Sequence, residues 1–212
     1  MKVLYIDTTS SYLYSCICDN QEITGEIKLK LNKDLSVFTL KKIEEMFNSV
    51  NLKPQDIDRI IVCNGPGSFT GIRIGVTIAK TYAWGLKKEV SIISSIEAMV
   101  LSSRLNKDYK VGLIDARRGY CYAGIYDKDN NIVMQDKYVS IEALKVTLES
   151  LPGDYSVITN DELEIEAKEE YSPNFLEIIN YGLTKETINP HAVNPIYLKL
   201  TEAEEKNKVD II

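Results

Sequence analysis

Apolar positions recur along this chain with two different periods. Val3–Ile6 is a continuous apolar run closed by Asp7, the pattern of a buried strand. Tyr12–Cys18 and Glu22–Leu29 read as two more strands, with Asp19-Asn20 as the turn between them. Asp34–Val50 then takes up the helical period, with Asp34 placed to cap it and Leu40, Ile43, Phe47 and Val50 as its apolar stripe. Ile60–Cys63 is a strand, Asn64–Gly71 a Gly-rich turn and Ile72–Leu86 a helix. Val90–Ile93 is a strand and Ile96–Leu105 a helix. After these the pattern starts again. Strands are predicted at Val111–Ile114, Tyr120–Tyr126 and Ile132–Val139, followed by a helix at Ile141–Leu148, a strand at Tyr155–Thr159 and a short helix at Phe175–Tyr181.

The restart is visible in the residues themselves. Lys2–Asp19 and Lys110–Asp127 align at a constant offset of 108 with eight of 18 positions identical, among them an Asp and two spaced tyrosines. Unrelated segments of average composition share roughly one. The chain therefore reads as an α/β protein of two related halves, 1–107 and 108–200, followed by a charged tail, 201–212, expected to be mobile. Each half reads β-β-β-α-β-α, and two such halves predict a cleft between them.

Composition narrows the classes. At 44% hydrophobic and 26% charged the chain is globular. A net charge of −6 argues against wholesale binding to a polyanion but leaves room for a local basic patch. Asp7 comes too early for a secretory leader, no apolar run approaches a membrane span, and four cysteines make no disulfide framework. A cytoplasmic location is the natural expectation. One His removes most metal sites and any second imidazole, so no metal is expected.

Three segments can carry chemistry. In a duplicated fold the turn after each first strand is expected to face the cleft, where it can cradle phosphate with small residues and backbone N–H groups. The first copy fits that role in part: Asp7-Thr8-Thr9-Ser10 offers a carboxylate and three hydroxyls. In the second copy Asp115, Arg117 and Arg118 put bulk where such a loop needs small residues, so a two-sided clamp is expected to be broken. For both aspartates the competing reading is a carboxylate that holds its own turn. The second segment is the loop with Gly67, Ser68 and Thr70, which opens a helix. It is either an anion site on orphan N–H groups or a capped tight turn. It lacks the Lys-Ser/Thr of a Walker loop and the flanking glycines of a nucleophile elbow. The third is the polar stripe Arg73, Thr77, Lys80 and Trp84 of helix 72–86, which holds the only Trp. With Leu35 and Phe38 of the preceding helix it forms an expected docking surface, and Gly75 and Gly85 would let another helix approach.

The motifs I-D-T-T at 6–9, N-G-P-G-S-F-T-G-I-R-I-G at 64–75, I-D-A-R-R-G at 114–119 with Tyr122, and N-P-I-Y-L-K at 194–199 resemble the TsaB (YeaZ) family. That resemblance implies an actin-like ATPase (ASKHA) fold of two ribonuclease-H-like halves. It implies a non-catalytic subunit needed to form threonylcarbamoyladenosine beside the anticodon of tRNA. Such a subunit binds and activates the TsaD transferase, helps assemble it with the ATPase TsaE, and pairs with itself when alone. It reaches tRNA indirectly through the complex and uses no membrane. No tightly bound cofactor is implied, although a nucleotide at the partner interface would sit against the 64–71 loop. Two other classes compete: an independent kinase or ATPase working in its own cleft, and a peptidase, which the single His disfavours. Family members often carry a His where this chain has Leu35 or Ser36, and the segment 150–175 is short for the family.

Overall fold

The computed structural model describes residues 1–199; the predicted tail 201–212 lies outside the described residues. Two five-stranded sheets share one topology. The first contains β1 (Lys2–Asp7), β2 (Tyr12–Asp19), β3 (Glu22–Lys30), β4 (Arg59–Cys63) and β5 (Glu89–Ile93), in the order β3-β2-β1-β4-β5. The second contains β6 (Tyr109–Arg117), β7 (Tyr120–Asp127), β8 (Ile132–Ser140), β9 (Tyr155–Thr159) and β10 (Lys168–Glu170), in the order β10-β9-β6-β7-β8. In each, the first three strands form an antiparallel meander and the last two pair parallel to it. The duplication read from the offset of 108 is thus a duplication of topology.

Helices α1 (Leu35–Ser49) and α2 (Phe69–Leu86) cover the outer face of the first sheet, where Leu4, Ile6, Ile60 and Val62 meet Ile43, Phe47, Ile72 and Val76. Helix α4 (Ile141–Glu149) covers the outer face of the second with Leu144 and Leu148. The middle layer crosses over. Helix α3 (Ser95–Leu101) follows the first sheet yet packs on β6, β7 and β9, while α5 (Phe175–Thr184) follows the second sheet yet packs on β1 to β5. Each half thus lends a helix to the other.

Five expectations change, the first being that the helix predicted over Ile96–Leu105 ends at Leu101. Helix α2 begins at Phe69, so the last residues of the Gly-rich turn are its first turn. Asp34 makes no side-chain cap bond; it ends a short 3-10 turn. Leu40 lies outside the apolar stripe, 53% exposed, and Leu35, Thr39 and Met46 fill the buried face of α1 with Ile43 and Phe47. The second half has no counterpart of α2. The loop 160–167 joins β9 directly to β10, a strand too short and too charged (Lys-Glu-Glu) to show in the hydrophobic pattern.

The copies also differ in register. Asp7 pairs with Tyr14 across β1 and β2, but Asp115 pairs with Cys121 across β6 and β7, one residue out of step. Because side chains alternate, one step reverses the face. Val3 and Tyr5 point to the inner layer, whereas Val111 and Leu113, their copies, point outward to α4. The tyrosines keep their face: Tyr14 and Tyr122 both point inward.

Candidate functional site

The β1–β2 turn and the loop into α2 close on each other. Asp7 is buried on the inner face, and its Oδ1 accepts from Thr9 N–H (2.8 Å) and the Thr9 hydroxyl (2.7 Å). Burial raises its pKa, and the Thr9 bonds pull it partly back. The Tyr5 hydroxyl lies 3.2 Å from Cys63 Sγ and 3.4 Å from Asp7 Oδ2, and burial pushes both the phenol and the thiol well up. Thr8 is fully buried and donates to the Gly71 carbonyl (2.7 Å). Ser68 N–H donates to the Thr9 carbonyl (2.6 Å), and the Ser68 hydroxyl caps α2 by accepting from Gly71 N–H (3.3 Å). Gly67, at φ +154°, lies so close to Thr9 that a Cβ would strike the Thr9 backbone. Further along, Asn64 Nδ2 donates to the Asn194 carbonyl (3.0 Å) and Ser95 N–H to the Gly65 carbonyl (3.0 Å).

The structure brings Asp7, Thr8, Gly67 and Ser68, which the sequence offered as two separate candidate anion segments, into one joint of packed and mutually bonded groups. Asp7 and Thr8 are buried and bonded within the protein, so they do not line an open phosphate cradle. Ser68 and Thr70 are the exposed members. Gly71, which closes the joint with Thr9, was not singled out in the sequence, although it lies inside the quoted loop motif.

The second copy keeps one bond of this arrangement. Asp115 Oδ1 accepts from Arg117 N–H (2.8 Å), the equivalent of the Asp7–Thr9 bond. For both aspartates the turn-holding reading describes the contacts seen. The register step leaves Asp115 exposed and on the side away from the inner layer, so this turn does not face the cleft as expected. Strand β6 runs on past a bulge to Arg117, and Arg118-Gly119 turn the hairpin with φ +57° and +77°. Arg117 and Arg118 are exposed at its tip and form no ion pair among the described residues.

The outer faces of α1 and α2 carry five of the exposed large apolar side chains; others, Val146 of α4 and Ile132 and Val133 of β8 among them, lie on the second half. Val37 is 65% exposed and Trp84 66%, and Phe38, Leu40 and Phe69 are also exposed. Leu35, expected here, is corrected: at 6% exposed it belongs to the buried face of α1. Arg73, Lys80 and Trp84 are at the surface but not bare. The stretch 190–197 lies along them: Arg73 Nε donates to the Tyr197 hydroxyl (2.8 Å), Lys80 Nζ to the His191 carbonyl (3.2 Å), and Trp84 meets the His191 ring edge-on at 6.1 Å. The Arg73 guanidinium also sits 3.8 Å over the Phe69 ring. Thr77 is exposed between them. Gly75 receives Thr8 rather than a helix, and Gly85 faces open space.

Between the halves lies a cavity of about 440 Å³ reaching Asn64, Ser94, Glu97, Asp136 and Lys185. Three of its ionisable groups are engaged: Asp136 accepts from Ser94 Oγ and the Tyr126 hydroxyl, and Glu97 accepts from the Tyr181 hydroxyl and Lys185 Nζ (2.8 Å each). Among the described residues no cluster of three or more His, Cys, Asp or Glu is placed to hold a metal ion, and no helix is long and apolar enough to cross a membrane.

Residues 30–192 match the family model of TsaD, tRNA N6-adenosine threonylcarbamoyltransferase. The chain is 31% identical to the tRNA threonylcarbamoyladenosine biosynthesis protein TsaB of Bacillus subtilis (strain 168), with 97% of each chain covered. It is 28% identical to TsaB of Escherichia coli (strain K12) over 62% of this chain and 57% of that one. YeaZ from Pseudomonas aeruginosa superposes with a TM-score of 0.76 at 15% identity, over 92% of this chain and 100% of that one. Together with the twin sheets and the exchanged helices, these likenesses place the chain in the TsaB (YeaZ) family, with the actin-like ATPase fold.

Proposed function

We propose that this chain is a non-catalytic subunit of the machinery that makes threonylcarbamoyladenosine in tRNA, and that it docks on the TsaD transferase through α1 and α2. The observation that carries the reading is the exposed apolar surface of those two helices, with Val37 at 65%, Leu40 at 53% and Trp84 at 66%. Large apolar side chains left open on adjacent helices mark partner surfaces. The joint between the β1–β2 turn and α2 supports the non-catalytic part. Asp7 and Thr8 are committed to it, so neither stands ready to act on a substrate in the cleft. In this reading the chain activates TsaD by contact, helps bring in TsaE, and pairs with itself through the same helices when alone. It holds no cofactor tightly, and a nucleotide at the partner interface would meet Ser68 and Thr70.

The test is a reconstituted tRNA modification assay with the organism's own TsaD, TsaE and threonylcarbamoyl-adenylate synthase. Modification is expected to need this chain. The variant Val37→Glu/Leu40→Glu is expected to lose at least tenfold in capture of TsaD while keeping its thermal transition, since both side chains are exposed. Modification that proceeds without the chain, or undiminished capture by the variant, would overturn the reading.

A further inference from the structure

The exchange of α3 and α5 covers the two inner sheet faces unequally. On the first sheet, α5 has 10 residues and is preceded by Tyr171, whose ring stands edge-on to Tyr14 at 5.4 Å and helps to bury it. On the second sheet, α3 has only seven residues. Through Ile96 and Val100 it covers Tyr126 and one side of Tyr122, and Tyr120, nearer the hairpin tip, stays exposed. Tyr122, the copy of Tyr14, is only half-buried, and Tyr120, the copy of Tyr12, is 41% exposed.

The uncovered part is a built aromatic surface. Tyr120 stacks on Tyr138 with centroids 4.8 Å apart and planes 9° from parallel, and Tyr122 tilts against Tyr138 at 5.7 Å. Lys199 Nζ stands 5.4 Å from the centre of the Tyr138 ring. The hairpin that carries Tyr120 ends in Arg117 and Arg118, which are exposed and without ion pairs among the described residues. The tip's left-handed backbone holds them out, and the Asp115 carboxylate beside them accepts from the Arg117 backbone N–H. Arg117, Arg118 and Lys199 thus lie near the tyrosine stack, with the carboxylates of Asp115 and of Asp161, which accepts from Asp115 N–H (2.7 Å), on the far side of the strand end.

We propose that this surface binds a few unpaired nucleotides of an RNA strand directly, with bases stacked on Tyr120 and phosphates held by Arg117 and Arg118. Tyrosine faces accept any base, and arginine outside the stack neutralises the backbone that links successive bases. The net negative charge keeps the contact short, since a long polyanion would meet the rest of the surface unfavourably. The inference stands on this surface alone and is independent of the docking of α1 and α2.

The test uses the full chain alone and a fluorescein-labelled unstructured heptaribonucleotide, followed by anisotropy between 20 and 200 mM KCl. Tyr120→Ala is expected to weaken binding about tenfold with the salt slope unchanged. Arg117→Gln/Arg118→Gln is expected to reduce the slope of log affinity against log salt by about 1.4, as for two lost phosphate contacts on a single strand. Tyr120→Phe, which keeps the stack, and Lys41→Gln on α1 are expected to bind as the parent does. Circular dichroism confirms that each variant is folded. Equal slopes for the parent and the double-arginine variant would overturn the inference. So would competition by ATP as effective as by the oligonucleotide, which would make the site one for a single nucleotide. A Tyr120→Ala variant that keeps RNA binding but loses capture of TsaD would make the platform a protein interface instead.

Discussion

Asp7 keeps a carboxyl group away from solvent among Tyr5, Cys63 and Thr9, and burial is the largest influence on its acidity. Its pKa is raised from 3.8, so the folded chain binds more protons at this group than the unfolded chain does as pH climbs above that value. Its contribution is therefore most favourable at low pH and is lost as pH rises through the folded pKa. Asp7→Asn keeps an acceptor for Thr9 and removes the titration. Urea unfolding from pH 4 to pH 8 should show the variant gaining stability relative to the parent with rising pH; parallel curves would contradict this. The sequence offered Asp7 as either a phosphate ligand or a turn-holder, and the contacts seen are those of the second. What the sequence hid is that its copy Asp115 faces the other way. Pairing register depends on how the hairpin closes, and identical residues at a constant offset carry no information about a one-residue step.

At the scale of the element, α2 is the most informative segment. Its existence and buried face were legible from period alone, because Ile72, Gly75, Val76, Ala79 and Ala83 are all buried. Its start was not, because the glycines of the preceding motif read as turn. Its three glycines have different reasons to be there. Gly71 lies against the Thr8 backbone, and a Cβ on Gly75 would come within 2.6 Å of Thr8 Oγ1, whereas one on Gly85 would meet nothing within 4 Å. Gly71→Ala should cost about 2–3 kcal/mol through overpacking of the joint. Gly85→Ala should add about 0.5–1 kcal/mol, the ordinary gain of Ala over Gly inside a helix. Denaturant midpoints measure both, and destabilisation by Gly85→Ala would mean that the helix end meets a constraint not seen in its contacts. The polar stripe of α2 was legible as a surface, but its cover was not. Beside the local Arg73–Phe69 contact, the residues that lie along Arg73, Lys80 and Trp84 are more than 100 positions further on.

At the scale of the molecule, the repeat told of two halves but not of their interlocking. Nothing in residues 95–101 or 175–184 says that each packs on the sheet it did not come from, because an apolar helix face carries no address. The arrangement predicts one cooperative unit. Ile178, fully buried on α5, sits in the same cluster as Tyr5 and Ile61 of the first sheet. Ile178→Ala should cost about 2–4 kcal/mol. The thermal transitions seen by Trp84 fluorescence and by far-ultraviolet circular dichroism should fall together; separate transitions would mean that the halves unfold independently. The exchange also has a consequence for synthesis. The last strand of the first sheet ends at Ile93, but the helix that shields its inner face begins only at Phe175. At roughly 5–20 residues per second, a ribosome takes about 4–16 s to make the intervening stretch. For that interval the nascent first half carries an apolar wall that a helix made much later must cover, a window for chaperone capture set by chain order.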